Sequence, residues 1–157
     1  MEMNAFVVNV PTPVGPFGVA GHDDALTAIF LPHERHRGSR GNTPRMVARA
    51  TTQLEEYFAG ARQYFELELG DVDATDFQRD VWRALVAIPY GEVRSYGEVA
   101  ESVGRPRASR AVGNANHVNR YPVIIPCHRV VAASGLGGYG GGEEVKRYLL
   151  AIEGVRL

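Results

Sequence analysis

The sequence predicts an α+β protein in two lobes. A small N-terminal α/β lobe covers residues 1–72. A mostly helical C-terminal lobe with a winged-helix-like helix-turn-helix covers residues 73–157. Three observations predict this. Strand-like segments crowd the start of the chain. Two capping boxes open helices in the second half. Two short helical stretches then meet at a tight glycine-containing turn.

In chain order, Phe6-Val7-Val8-Asn9-Val10 and Phe17-Gly18-Val19-Ala20 flank a Pro/Gly turn, and residues 25–31 form a third strand candidate. Residues 34–42 are polar and read as a loop. Thr43 is the expected N-cap of a helix with Pro44 at its first position. Met46, Val47, Ala50, Leu54, Tyr57 and Phe58 keep helical spacing, and Gly60 stops it. Residues 64–69 alternate apolar with Glu and predict a half-buried strand. Residues 70–73 are the loop between the lobes.

Thr75-Asp76-Phe77-Gln78 and Ser95-Tyr96-Gly97-Glu98 are the two capping boxes. The first opens a helix with Phe77, Val81, Leu85 and Ile88 on one face, ended by Pro89-Tyr90-Gly91. The second opens a short helix ended by Gly104. A further helix carries Ala108, Ala111, Val112 and Ala115. Val123-Ile124-Ile125 predicts a short buried strand. Residues 130–142 read as a Gly-rich loop, and residues 143–153 as a last helix with acids in its first turn and Gly154 as its stop.

The 157 residues are 45% hydrophobic and 22% charged, which suits one globular domain or two small lobes. No apolar run approaches a membrane span, and residues 1–4 do not resemble a secretory leader. One cysteine excludes an internal disulfide and a Cys-rich zinc site, so a reducing, cytoplasmic setting is expected. The net charge of -1 conceals an asymmetry. Between Glu101 and Glu143 there is no acid, while Arg105, Arg107, Arg110, Arg120 and Arg129 all lie there. Such a stretch is either a polyanion footprint or a merely solvated basic face.

Cys127 stands in Pro126-Cys127-His128-Arg129. Nearby cations favour the thiolate, which is the nucleophile. A buried structural cysteine followed by basic residues is the plain alternative. Arg110 sits among the small residues Ala108, Ser109 and Ala111, which would let a helix approach a groove closely. Tyr96 opens the preceding helix. Tyr139, amid glycines, offers a stacking face, and Glu153 can orient a histidine. His33 and His36 are a weak metal signal, and no metal is expected.

Taken together, these residues resemble the O6-alkylguanine-DNA alkyltransferase family. The similarity is carried by Ile125-Pro126-Cys127-His128-Arg129-Val130-Val131. Ahead of it come, in order, Phe77-Gln78, Val81-Trp82, Ile88-Pro89-Tyr90-Gly91, Ser95-Tyr96 and Arg110-Ala111-Val112-Gly113; Lys146, Leu149-Leu150 and Glu153-Gly154 follow. It covers residues 75–154 strongly and the N-terminal lobe loosely, through residues 13–18. Asn119-Arg120 departs from the family's usual Asn-Pro, and Gly137-Gly138 from the Ser or Thr found in many members.

The resemblance implies that Cys127 accepts an alkyl group, that His128 is its base through a water, and that Glu153 orients the imidazole. Asn119 would order the site. Arg110 would replace a flipped guanine in the stack, Tyr96 would turn the target phosphate, and Tyr139, Gly140 and Gly141 would line the pocket. Ala108, Ser109 and Arg129 are further expected DNA contacts. The implied partner is double-stranded DNA containing O6-alkylguanine, entered from the minor groove by a monomer, with no cofactor. The N-terminal lobe would be a support. A chemically hidden alkyl carbon requires base extrusion, and a thioether product makes the reaction single-use. Rival readings are an alkyltransferase-like damage binder, in which the cysteine is typically Trp, a helix-turn-helix regulator, and a cysteine hydrolase with turnover.

Overall fold

The computed structural model describes residues 5–139 and 142–157. The chain divides into two compact units, Met1–Val72 and Asp73–Leu157.

In the first unit, β1 (Phe6–Val10), β2 (Phe17–Gly21) and β3 (Leu26–Phe30) form an antiparallel meander in the order β1-β2-β3. Val8 faces Val19, and Val19 faces Ile29. Helix α1 (Arg45–Phe58) packs on β1 and β2 through Met46, Val47, Ala50, Leu54 and Tyr57, all buried. Its start differs from the sequence expectation. Pro44 occupies the cap and no side chain caps the helix. Instead the Asp23 carboxylate accepts from the Arg45 amide at 2.9 Å, so a loop distant in sequence satisfies an orphan donor.

Residues 64–69 show the expected alternation, with Phe65, Leu67 and Leu69 more buried than Glu66 and Glu68. They do not form a strand. Leu69 makes a single bridge to Leu26. The Gln53 amide takes over Glu66, accepting from its N–H at 3.0 Å and donating to its carbonyl at 3.3 Å. Side-chain bonding has replaced a ladder there.

In the second unit, α2 (Asp76–Val86) and α3 (Tyr96–Ser102) both begin with complete capping boxes, Thr75 with Gln78 and Ser95 with Glu98. Helix α4 (Ser109–His117) packs against α2 and α3, burying Val112 and Ala115. The indole of Trp82 donates to the Ala115 carbonyl at 2.9 Å and locks α2 to α4. The α3–turn–α4 pair turns at Gly104 (φ +76°), where left-handed backbone suits glycine.

Two expectations fail here. Residues 123–125 form a turn, not a strand: Ile125 N donates to Tyr121 O at 2.8 Å, and Val123 lies at φ +74°. Val123 and Ile125 are buried, as the apolar, β-branched run had signalled, but Ile125 makes only an isolated bridge to Pro122. Residues 130–131, expected in a loop, are β5 (Val130–Val131), paired in parallel with β4 (Arg94–Ser95). Helix α5 (Glu143–Ile152) closes the unit and packs with α2 against a short 3-10 turn, Cys127–Arg129. Among the described residues no helix is long and apolar enough to cross a membrane.

Candidate active site

Pro126 leads into the 3-10 turn that carries Cys127, His128 and Arg129, all three buried. The Asn119 amide braces the strap before it. Its Nδ2 donates to Ile125 O at 2.8 Å and its Oδ1 accepts from Tyr121 N at 2.9 Å. Val123, fully buried in the same strap, holds a left-handed conformation that a β-branched residue resists. Burial pushes the Cys127 thiol above its ordinary value. The neighbouring Asn119 and Tyr139 side chains and the charge of Lys146 pull the other way, toward thiolate. The resting sulfur is therefore a thiol in a site built to welcome its anion, and ionising it needs a base.

Behind the sulfur lies a closed polar cluster. His128 Nε2 is 2.7 Å from Glu153 Oε2. Arg129 grips the same carboxylate with two prongs, Nε to Oε1 at 2.9 Å and Nη2 to Oε2 at 3.1 Å. The Gly91 amide adds a fourth bond to Oε1 at 3.0 Å. Arg129 Nη1 donates to Ile88 O at 2.7 Å. The carboxylate partner makes Nε2 the donor, which assigns the basic lone pair of neutral His128 to Nδ1. Burial holds His128 below its usual value, opposing the Glu153 carboxylate, and the charges of Arg129 and Lys146 lower it further.

On α5, Lys146 is fully buried. Its Nζ donates to Val130 O at 2.6 Å and to Gly138 O at 3.2 Å, and lies 5.9 Å from the ring centroids of both Tyr96 and Tyr139. Desolvation lowers its pKa to about 8, partly offset by Cys127. The Tyr96 hydroxyl also donates to Gly138 O, at 3.1 Å. Gly137 has φ +76°, and an added Cβ would come within 2.9 Å of the Ala132 amide nitrogen and 3.1 Å of the Tyr96 ring. No side chain fits there.

The structure thus brings Cys127, Asn119 and Tyr139 together, and seats His128 with Glu153. Arg110 stands exposed near the start of α4, with Ala108 at the cap and Ser109 next, both half-buried. Arg129 corrects the sequence expectation. It was expected at DNA, yet it is 7% exposed and its guanidinium is committed to Glu153 and Ile88. A buried carboxylate claims it more strongly than solvent-side phosphate would, because leaving that charge unpaired is costly. Gly140 and Gly141 lie outside the described residues. His36 is held by Asn9 and the Pro16 carbonyl, and no three metal-ligating side chains gather among the described residues.

Sequence reasoning gave Arg129 the wrong task and assigned none to Lys146. A signal for Lys146 was present. It shares a helix face with Leu149 and Leu150, an apolar stripe where a lysine is out of place.

This geometry coincides with a family match along most of the chain. The family model described as "6-O-methylguanine DNA methyltransferase, DNA binding domain" matches residues 76–155. Its companion, the "ribonuclease-like domain", matches residues 9–70. The chain belongs to the 6-O-methylguanine DNA methyltransferase family. A family member from Mycobacterium bovis, methylated-DNA--protein-cysteine methyltransferase, is 48% identical over 148 residues, 92% of this chain and 89% of the relative. The constitutive enzyme of that name from Bacillus subtilis is 43% identical, covering 94% of each chain. Among solved members, Mycobacterium tuberculosis OGT in complex with DNA superposes with a TM-score of 0.83 at 46% identity, over 95% of this chain and 93% of that one. The match of family and fold places both units of this chain within the methyltransferase family.

Proposed function

We propose that this protein repairs DNA by direct reversal, moving an alkyl group from O6-alkylguanine in double-stranded DNA to Cys127 in a single, self-inactivating transfer. The observation that carries the reading is the buried Cys127 thiol, with Asn119, Tyr139 and Lys146 as neighbours that favour its anion and the His128–Glu153 pair held from the same turn. A structural cysteine has no use for groups that favour its anion.

In this reading the Cys127 proton passes through a water to His128 Nδ1, and Glu153 stabilises the imidazolium. The sulfur lone pair forms the new S–C bond. The C–O6 bond breaks and its electrons leave with guanine, which takes up a proton from solvent as His128 returns its own to solvent, and Tyr96 steadies the departing base with a hydrogen bond. The product is a thioether with no hydrolytic route back, so one molecule acts once. The chain's own residues supply every step without a cofactor. Arg110 fills the space left by the extruded base. Ala108, Ser109, Ala111 and Gly113 keep the α4 face low enough for the helix to enter the minor groove. Tyr139 lines the pocket. The protein acts as a monomer in this reading.

The test is the intact mass of the protein after mixing with a duplex carrying O6-methylguanine, followed by peptide mapping. One methyl per protein on Cys127, absent in Cys127→Ala, is the expected outcome. Tight binding with no mass change would overturn the transfer reading in favour of a damage binder. Multiple turnover would favour a hydrolase.

A further inference from the structure

Glu153 carries more partners than the orientation of one imidazole needs. Its two oxygens accept four hydrogen bonds: from His128, twice from Arg129, and from the Gly91 amide. Both side-chain partners are buried with it. A buried carboxylate facing a histidine alone draws a proton onto the ring. An imidazolium formed in that way, before any substrate arrives, is no longer able to take the thiol proton.

We propose that Arg129 is the positioning residue that prevents this: by forking and neutralising Glu153, it keeps His128 a neutral proton acceptor with Nε2–H toward the carboxylate. The inference rests on the alkyl-transfer reading of the site and deepens it. Arg129 is fixed for this task. Its third prong is anchored on Ile88 O at 2.7 Å, and its guanidinium carbon lies 5.8 Å from the Tyr90 ring centroid. Tyr90 is itself tied to α5, donating to Ile152 O at 3.1 Å. The charged and titratable groups around His128 are Cys127 and Arg129 on its own turn, Lys146 from α5, Glu153 at the C-cap of α5, and Tyr90 behind Arg129. Two of them, Arg129 and Lys146, oppose a proton on the ring, and burial opposes it most. The division of labour is then consistent in time. Before transfer, Arg129 balances Glu153 and the ring is neutral. During transfer, the proton leaves sulfur for Nδ1, and Glu153 is already aligned to hold the imidazolium.

The experiment compares the pH dependence of methyl transfer, followed by mass on single mixing, in the wild type, R129Q and R129K. R129Q is expected to lose about tenfold more rate at pH 6 than at pH 8, because its His128 is protonated early. R129K keeps the charge and is expected to keep the wild-type profile at a lower overall rate. A uniform loss in R129Q with an unshifted profile would show a merely structural role and overturn the proposal. A second readout does not depend on either variant folding. Nitrogen NMR of wild-type His128 at pH 7 is expected to show a neutral ring protonated at Nε2, and an imidazolium there overturns the proposal. Failure of the wild type to methylate Cys127 at any pH would sink the transfer reading as well, which separates the two outcomes.

Discussion

At the scale of single residues, the site is governed by charges that cannot reach water. Glu153 is the clearest case, since its removal strands His128 and Arg129 together in the interior. Glu153→Ala is expected to cost about 3–5 kcal/mol in denaturant unfolding. Glu153→Gln, which keeps the shape and part of the bonding, should cost less. A loss below 1 kcal/mol for the alanine variant would contradict the closed cluster. His128 sets a pH dependence. Its folded value lies below the ordinary 6.5. As pH falls through 6.5, the unfolded chain takes up a proton that the folded chain refuses, so stability is lost on the acid side and is complete above it. Unfolding free energy measured from pH 8 down to pH 5 should fall through that window in the wild type and more gently in His128→Gln. Lys146 gives a titration of its own. Its side chain should deprotonate near pH 8, read by nitrogen NMR, and a value near the ordinary 10.5 would count against its buried placement.

At the scale of elements, the capping chemistry separates two helices that look alike in sequence. Thr75 caps α2 with its side chain, whereas Thr43 makes no such bond and Pro44 holds the cap of α1. Thr75→Ala should therefore cost about 1 kcal/mol, and Thr43→Ala should stay within about 0.5 kcal/mol of the wild type. Equal losses would contradict the distinction. Helix α4 has a different sensitivity. Arg110 is exposed, so Arg110→Ala should leave stability unchanged. Transfer from duplex DNA should slow by at least about tenfold, in line with the few kcal/mol that extrusion demands. Transfer from the free O6-alkylguanine base, which needs no extrusion, should be spared. Equal loss on both substrates would remove Arg110 from the extrusion step.

At the scale of the whole molecule, a nearly neutral chain keeps an acid-free stretch between Glu101 and Glu143. Four of its five arginines, Arg105, Arg107, Arg110 and Arg120, are exposed, while Arg129 is withdrawn into the core. The number of cations available to phosphate is thus smaller than the sequence count. DNA affinity should fall with rising salt, with a log–log slope no steeper than about -4 from these arginines. A flat response would remove them from the interface.

The sequence alone determined what depends on neighbours along the chain. Both capping boxes, the helical faces of α2 and α5, the turn at Gly104 and the Pro126-Cys127-His128-Arg129 run rest on residues within a few positions of one another. Backbone geometry turns such spacing directly into contact. The tertiary structure decided what depends on partners far apart. Val130–Val131 became a strand because Arg94–Ser95 lay alongside. Residues 123–125 became a strained turn because Asn119 bonds on both sides of it. Arg129 turned inward because Glu153, 24 positions away, brought it a buried carboxylate. A charge shows its sign in the sequence, but whether it meets water or another charge is settled only when distant segments close over it.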